Sequence, residues 1–305
     1  MASVRHRLEY VALRAVLALF AALPLSVASR LGEFLGLAGY WPLGIRRRVV
    51  TRQIAAAFPG LPAREVARVA RGAYRNLGRT TVESAVISGR SRADLLAMFE
   101  GTDDWTPVSE LLAAGKGSVL VTGHFGNWEL AAAYVAARGV PLDVIARRQA
   151  NPLFDAYITR TRQRLGLTVV HDRDAARHIP RAFREGRSMG FVADQGVKGL
   201  ASTFVPFFGR PAKTPRGPAV YALKYKLPLI AMAGVRQPSG KYRLLIDPID
   251  VTESGNREED VDALVAAFTA VLERHVRRYP DQYFWHHRRW RRQPPSTPEE
   301  LREPL

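Results

Sequence analysis

There is no cysteine among the 305 residues, which removes disulfides, thiolate metal sites and a cysteine nucleophile together and leaves the compartment open. Acidic residues are scarce as well: 28 Asp and Glu stand against 45 Lys and Arg, a formal net charge of +17. That imbalance calls for an anionic partner, which charge alone leaves open between nucleic acid, an anionic lipid surface and a phosphorylated substrate. Internal repeats and low-complexity tracts are missing, so solenoid and disordered classes are set aside. What remains is an ordinary globular composition, 47% apolar and 24% charged, long enough for one large α/β unit with helical extensions.

The N-terminus departs from that average. After Arg5-His6-Arg7 the stretch from Tyr10 to Ala28 is strongly apolar, broken by Arg14 and Pro24. Its uncharged part, Ala15 to Ser29, is shorter than the ~20 residues of a clean spanning helix. Three readings stay open: a retained spanning or interfacial anchor, a secretory signal ending near Ser26-Val27-Ala28, and a buried helix. The apolar patch from Leu31 to Trp41 favours the anchor, since cleavage would leave it uncovered.

Helical periodicity dominates residues 44–100, where Val66, Val69, Ala70, Ala73 and Leu77 recur on one face and Pro62 stands near a helix start. From about residue 107 short β-rich runs alternate with helices. Strands are expected at 118–122, 142–146, 167–171, 189–194, 228–234 and 242–248, and helices at 128–138, 152–165, 174–185, 215–226 and 257–278. The fold class is α/β: a mostly parallel central sheet flanked by helices, with an N-terminal helical layer and a membrane-anchoring helix. The expected boundaries are an apolar segment at 1–43, a helical layer at 44–106, an α/β core at 107–293 and a loose tail at 294–305.

In open parallel sheets ligands bind beyond the carboxyl ends of the strands, where His124 and Asp194 fall. His124 directly follows a strand and Glu129 opens the next helix, with Asn127 as a cap between them. Five helical residues turn through roughly 500°, so the two side chains meet only if His124 folds back from the loop. In that geometry the carboxylate holds one imidazole nitrogen and raises the basicity of the other, giving a general base without a protein nucleophile. The competing reading is a loop histidine bonded to its own backbone. The Phe204 to Phe208 run reads by itself as a buried strand or an apolar patch. The basic and aromatic run His286 to Arg292 suits anionic headgroups or single-stranded nucleic acid. A metal at His286 and His287 is disfavoured, because adjacent side chains point apart and no carboxylate cluster accompanies them.

Five ordered blocks, GHFGNWE (123–129), ARRQANPLFD (146–155), FVADQG (191–196), TFVPFFGRPAKTPRG (203–217) and YPDQYFWHHRRW (279–290), resemble the bacterial lipid A late acyltransferases. The related mycobacterial phosphatidylinositol mannoside acyltransferases share that resemblance. It implies His124 as base and Glu129 as its orienting carboxylate, with Arg147, Asn151, Asp194 and Gln195 holding substrate or the oxyanion and Phe204, Phe207 and Phe208 as acyl-channel candidates. It further implies an acyl-carrier-protein or coenzyme A thioester as co-substrate, no metal or other cofactor, and an anionic glycolipid acceptor. The expected setting is the bacterial inner membrane, with the site facing the cytoplasm and no nucleic-acid partner. An inositol mannoside or a lysophospholipid is the alternative acceptor, and a basic nucleic-acid-binding protein is the alternative from another class.

Overall fold

The computed structural model describes residues 3–197 and 199–304. Five helices come first: α1 (Val4–Ala21), α2 (Leu25–Tyr40), α3 (Arg47–Ala57), α4 (Ala63–Val86) and α5 (Arg92–Ala97). Then follow β1 (Phe99–Thr102), α6 (Thr106–Ala113), β2 (Val119–Thr122), α7 (Trp128–Ala137), β3 (Leu142–Ala146), α8 (Pro152–Arg164), β4 (Thr168–His171), α9 (Ala175–Arg184) and β5 (Ser188–Val192). The chain closes with the hairpin β6 (Ser202–Phe207) and β7 (Arg210–Pro215), α10 (Gly217–Tyr225), β8 (Leu229–Arg236), β9 (Tyr242–Ile249) and α11 (Arg257–Arg278).

Seven strands form one sheet in the order β1-β9-β8-β2-β5-β3-β4, in which the β8–β9 pair alone is antiparallel. The helices that follow β2, β3 and β4 carry the chain back for the next parallel strand, as crossover connections require. β2 sits inside the sheet between β8 and β5 and is buried along most of its length, as the continuous apolar run VLV predicts. The mixed α/β class and the mostly parallel sheet agree with the sequence reading. Two features escaped it. β1 carries one apolar residue in FEGT and shows no alternation, and although 204–208 reads as a buried strand or an apolar patch, its pairing with 210–215 in a hairpin was not expected, since prolines at 206, 211 and 215 argue against a strand.

Of the N-terminal readings, the spanning helix is the one the described residues do not show. The apolar stretch is divided at Pro24 between α1 and α2, and among the described residues no helix is long and apolar enough to cross a membrane. Arg14 interrupts the apolar run within α1, and Pro24 separates α1 from α2, so neither helix offers ~20 consecutive apolar residues. α2 lies on α4 through a seam of small residues: a Cβ on Gly36 would stand 2.0 Å from the Tyr74 carbonyl oxygen, and one on Gly78 would stand 2.0 Å from that of Gly32. The C-terminal segment is tied to the preceding chain. Arg288 forms a bidentate pair with Glu303 at 2.6 Å, and Gln293 donates to the Leu301 carbonyl at 2.8 Å.

Candidate active site

The in-register pairing of β2 with β5 builds the site. Thr122 stands opposite Val192 in a parallel ladder, so the residues two places further on, His124 and Asp194, emerge side by side from neighbouring strands about 4.8 Å apart. His124 Nδ1 lies 2.6 Å from Asp194 Oδ1. Asp194 is 3% exposed. Burial pushes its pKa up, but the His124 charge and hydrogen bond, helped by Arg289, outweigh that and hold it down at about 2. The ionised carboxylate accepts only, which assigns the proton to Nδ1 and leaves Nε2 as the bare basic nitrogen. Burial lowers the His124 pKa, while the charge and hydrogen bond of Asp194, then the charge of Glu129, raise it above the ordinary histidine value.

The loop that carries His124 is held from three sides. Gly126 has φ +60, and a Cβ there would stand 2.0 Å from the Gly234 carbonyl oxygen, so glycine is required both by conformation and by close approach. The Gly126 amide donates to the Gln282 carbonyl, and the Phe284 amide donates to the His124 carbonyl at 3.0 Å. Asn127 caps α7 by accepting from the Leu130 amide, and its own amide group donates to Glu83 at 3.4 Å and to the Tyr242 hydroxyl at 3.3 Å. Glu83 is buried and bidentate with Arg236 at 2.9 and 2.8 Å, and it accepts further bonds from Ser29 and Tyr242. A fully partnered buried charge of this kind fixes where α7 begins.

Glu129 does not take the place expected of it. Its carboxylate is held by Arg162 of α8 at 3.0 and 2.5 Å, and Asp194 holds the imidazole instead. The cause is the helical turn: capped at Asn127, α7 points the Glu129 side chain across to α8, whereas the strand register delivers Asp194 directly to Nδ1. Glu129 still contributes to His124 through its charge.

Beside the pair an apolar cleft with about 660 Å³ of empty space, its open mouth included, runs between the sheet and α7 and α8. Leu120, Val135, Leu142, Val144, Leu167 and Met232 line its greasy part, and Glu129 with Arg162 supplies its charged part. Trp128 lines it too, with its ring 4.9 Å from the His124 ring, edge-on. Through Trp128 the cleft adjoins the His124 imidazole.

The other expected residues are dispersed. Arg147 is exposed just past β3 and makes no side-chain hydrogen bond or ion pair among the described residues. Asn151 caps α8, and its amide group donates to the His6 carbonyl at 2.9 Å and to Glu9 at 3.2 Å, which ties α1 to α8 and gives it a docking role away from the base. Gln195 is half-buried next to Asp194. The three phenylalanines are absent from the cleft lining. Phe207 and Phe208 are buried against Tyr283, Trp285 and Trp290, and Phe204 is 42% exposed, because alternation in β6 turns 205 and 207 inward and 204 outward. No group of His and acidic side chains arranged to hold a metal occurs among the described residues.

Arg162, Trp128 and Tyr283 carried no role in the sequence reading, and Arg289 figured only in the basic, aromatic run His286 to Arg292. Arg289 lies 3% exposed, donating to the Lys213 carbonyl at 2.7 Å and the Thr214 hydroxyl at 2.6 Å. Tyr283 is kept neutral by burial and by the Asp194 charge, which push its pKa well up. One signal was available: TGH and VAD place His and Asp at equal distance past two strands that a parallel sheet can pair.

His124, bonded to a buried carboxylate, thus stands against Trp128 of an apolar cleft. The family model described as bacterial lipid A biosynthesis acyltransferase matches residues 2–292, nearly the whole chain. The chain belongs to that family and is an acyl-transferring enzyme. It is 27% identical over 283 residues to a lipid A biosynthesis palmitoleoyltransferase of Escherichia coli (strain K12), covering 92% of this chain and 90% of the relative. It is 26% identical over 285 residues to that organism's lipid A biosynthesis lauroyltransferase, covering 93% and 91%. A phosphatidylinositol mannoside acyltransferase of Mycobacterium tuberculosis (strain ATCC 25618 / H37Rv) is 30% identical over 118 residues, 37% of each chain.

Proposed function

We propose that this enzyme moves a fatty acyl chain from an acyl-carrier-protein or coenzyme A thioester to a hydroxyl of a glycolipid, a lipid A precursor, at the cytoplasmic face of the bacterial inner membrane. The observation that carries the reading is the His124–Asp194 pair at 2.6 Å beside a cleft lined mainly by apolar side chains. Nε2 of His124 takes the acceptor's hydroxyl proton as the oxygen attacks the thioester carbonyl. Asp194 stabilises the imidazolium that forms, as a buried orienting carboxylate does in acyl transfer. The tetrahedral intermediate collapses with cleavage of the C–S bond, and the departing sulfur takes the proton back from His124, leaving an ester and a free thiol. No acyl-enzyme is formed.

The apolar cleft holds the acyl chain at about 0.8 kcal/mol per buried methylene and keeps water from the thioester. The Glu129–Arg162 pair stands in the lining of that cleft, where its net neutrality lets an acyl chain pass and its charge supports His124. Arg147 is available to an anionic group of the substrate. α1 and α2 rest on an anionic bilayer without crossing it, with arginines at the headgroups.

Transfer of a radiolabelled acyl group to a lipid A precursor, measured for the wild type and Glu129→Gln, tests the assignment. Loss of the carboxylate strands Arg162 in the lining of the apolar cleft, and a drop of about tenfold or more in kcat/KM is expected from one broken charge-assisted pair. Arg162→Gln should fall by a similar factor, and the double variant no further than either single one. Additive losses would separate the two residues, and absence of any wild-type transfer to glycolipid would remove the function.

A further inference from the structure

Resting on that reading, we infer that a second cavity, beyond Asp194 and walled by the hairpin and the C-terminal segment, binds the phosphate ester of a substrate. The cavity has about 400 Å³ of empty space, and its walls are Gly196, Lys213, His287, Arg288, Arg289, Arg291 and Arg292. Five of those seven residues are cations and none is a carboxylate. Like charges converge on a half-open pocket at a cost in repulsion, which a bound anion removes.

Arg291 and Arg292 are exposed, whereas Arg289 is fixed in the wall. Arg289 is 3% exposed and is held by two hydrogen bonds to β7, while its Nε has no partner among the described residues. Arg288 is already neutralised by Glu303. The side chains of Lys213 and Arg291 make no hydrogen bond or ion pair among the described residues, so their charge is available. Gly196 lets the Lys213 chain come close, since a Cβ there would stand 2.9 Å from Lys213 Cβ. Arginine forks and a lysine point charge are the usual phosphate partners.

The position links this cavity to the chemistry. Gly196 follows Asp194 by two residues, and Arg289 lines both this cavity and the small one beneath Asp194. The cavity and the Asp194 side of the site thus share Arg289 as a common wall. Two parts of the reaction carry a phosphate: the phosphopantetheine arm of the donor and a phosphorylated glycolipid headgroup.

The test uses full-length protein carrying Lys213→Gln/Arg291→Gln, with Arg177→Gln/Arg181→Gln on the exposed face of α9 as a control of equal charge. Binding of inorganic phosphate, read by ³¹P line broadening, should be present in the wild type and the control and lost in the cavity variant. Equal binding in all three overturns the proposal. Kinetics then assign the source. A KM rise of ~10- to 100-fold with acyl-coenzyme A but not with an acyl-N-acetylcysteamine, which carries no phosphate, assigns the donor. The same rise for the phosphorylated acceptor but not for its phosphatase-treated form assigns the headgroup. No KM change on either arm overturns the proposal. If the wild type transfers no acyl group to any glycolipid, the functional reading fails, while the phosphate measurement still decides the cavity.

Discussion

The carboxyl end of the sheet and the N-terminal helix pair invert the usual order of a globular protein in opposite ways. At the sheet end charge is buried: Asp194, Glu83, Arg236 and Arg289 all lie inside, each beside an opposite charge or hydrogen-bonded within a network. At the N-terminus grease is exposed. Among the described residues seventeen large apolar side chains are exposed, and twelve of them fall between Val4 and Ile45. A buried charge survives only when preorganised partners replace water, which is the property a proton-transfer site needs. An exposed apolar face of that extent survives only when something apolar covers it. On the proposed function the two regions divide chemistry from placement, and they should respond independently to substitution.

The sharpest way to break that division is His124→Ala. Removing the base should lower kcat by ~10³- to 10⁴-fold, with the unfolding transition and vesicle binding unchanged. A rate within tenfold of wild type, measured by acyl transfer from thioester to glycolipid, would discard His124 as the base and with it the meaning given to the sheet end.

Glu83→Ala is next in size and acts on stability. It leaves Arg236 buried without its carboxylate and cuts the link to the Asn127 cap, an expected loss of about 3–5 kcal/mol, read by urea denaturation. The Glu83 pKa is raised by burial and lowered further by Arg236 and its other partners, so it lies below its ordinary 4.5. Its contribution is therefore present above pH 4.5 and fades as pH falls. A loss below 1 kcal/mol would mean that the network is incidental to the position of α7.

Asp194→Asn separates orientation from basicity. Without the Asp194 carboxylate, burial is opposed only by the charge of Glu129 and the His124 pKa drops, so the acid limb of the kcat/KM profile moves to lower pH while the plateau falls by ~10²-fold. Stability shifts the other way with pH. The depressed Asp194 contributes above its ordinary 3.8 and is lost toward about 2, while the raised His124 contributes below 6.5 and is lost as pH rises through its folded value. The ion pair stabilises most between about pH 4 and 6.5, below the range in which the neutral base is most abundant. An unmoved acid limb would show that Asp194 does not set the His124 titration.

How much of this was legible in the sequence depended on range. Strands such as 142–146 and the helix at 257–278 follow from local periodicity and caps, and the base at a strand end follows from topology. The partner of His124 is seventy residues away and was passed over for Glu129, which is five away. Sequence proximity favoured the wrong carboxylate because α7 turns Glu129 toward α8, and strand register is a non-local property. Phe207 and Phe208 were equally ambiguous: apolar aromatics suit a core and a lipid channel alike, and the hairpin's position decides for the core. The exposed apolar helices could not be told from buried ones, because periodicity reports a stripe and not what covers it.

The smallest expected effect belongs to the N-terminal face and tests its independence from the sheet end. Leu8 and Phe34 are 67% and 68% exposed, on helices that the Asn151 bonds and the α2–α4 glycine seam hold against the body. Leu8→Ser/Phe34→Ser removes apolar area without disturbing either attachment. Burying one such side chain is worth about 1.5–3 kcal/mol in full, so partial insertion of two should give roughly tenfold weaker binding to vesicles containing anionic phospholipid. Flotation at low and high salt distinguishes the components: salt weakens the arginine contribution, whereas the loss from the two substitutions should persist. kcat on detergent-dispersed substrates should stay at the wild-type value. A fall in kcat without a fall in vesicle binding would place these helices over the cleft as part of the catalytic machinery, and the division between placement and chemistry would have to be redrawn.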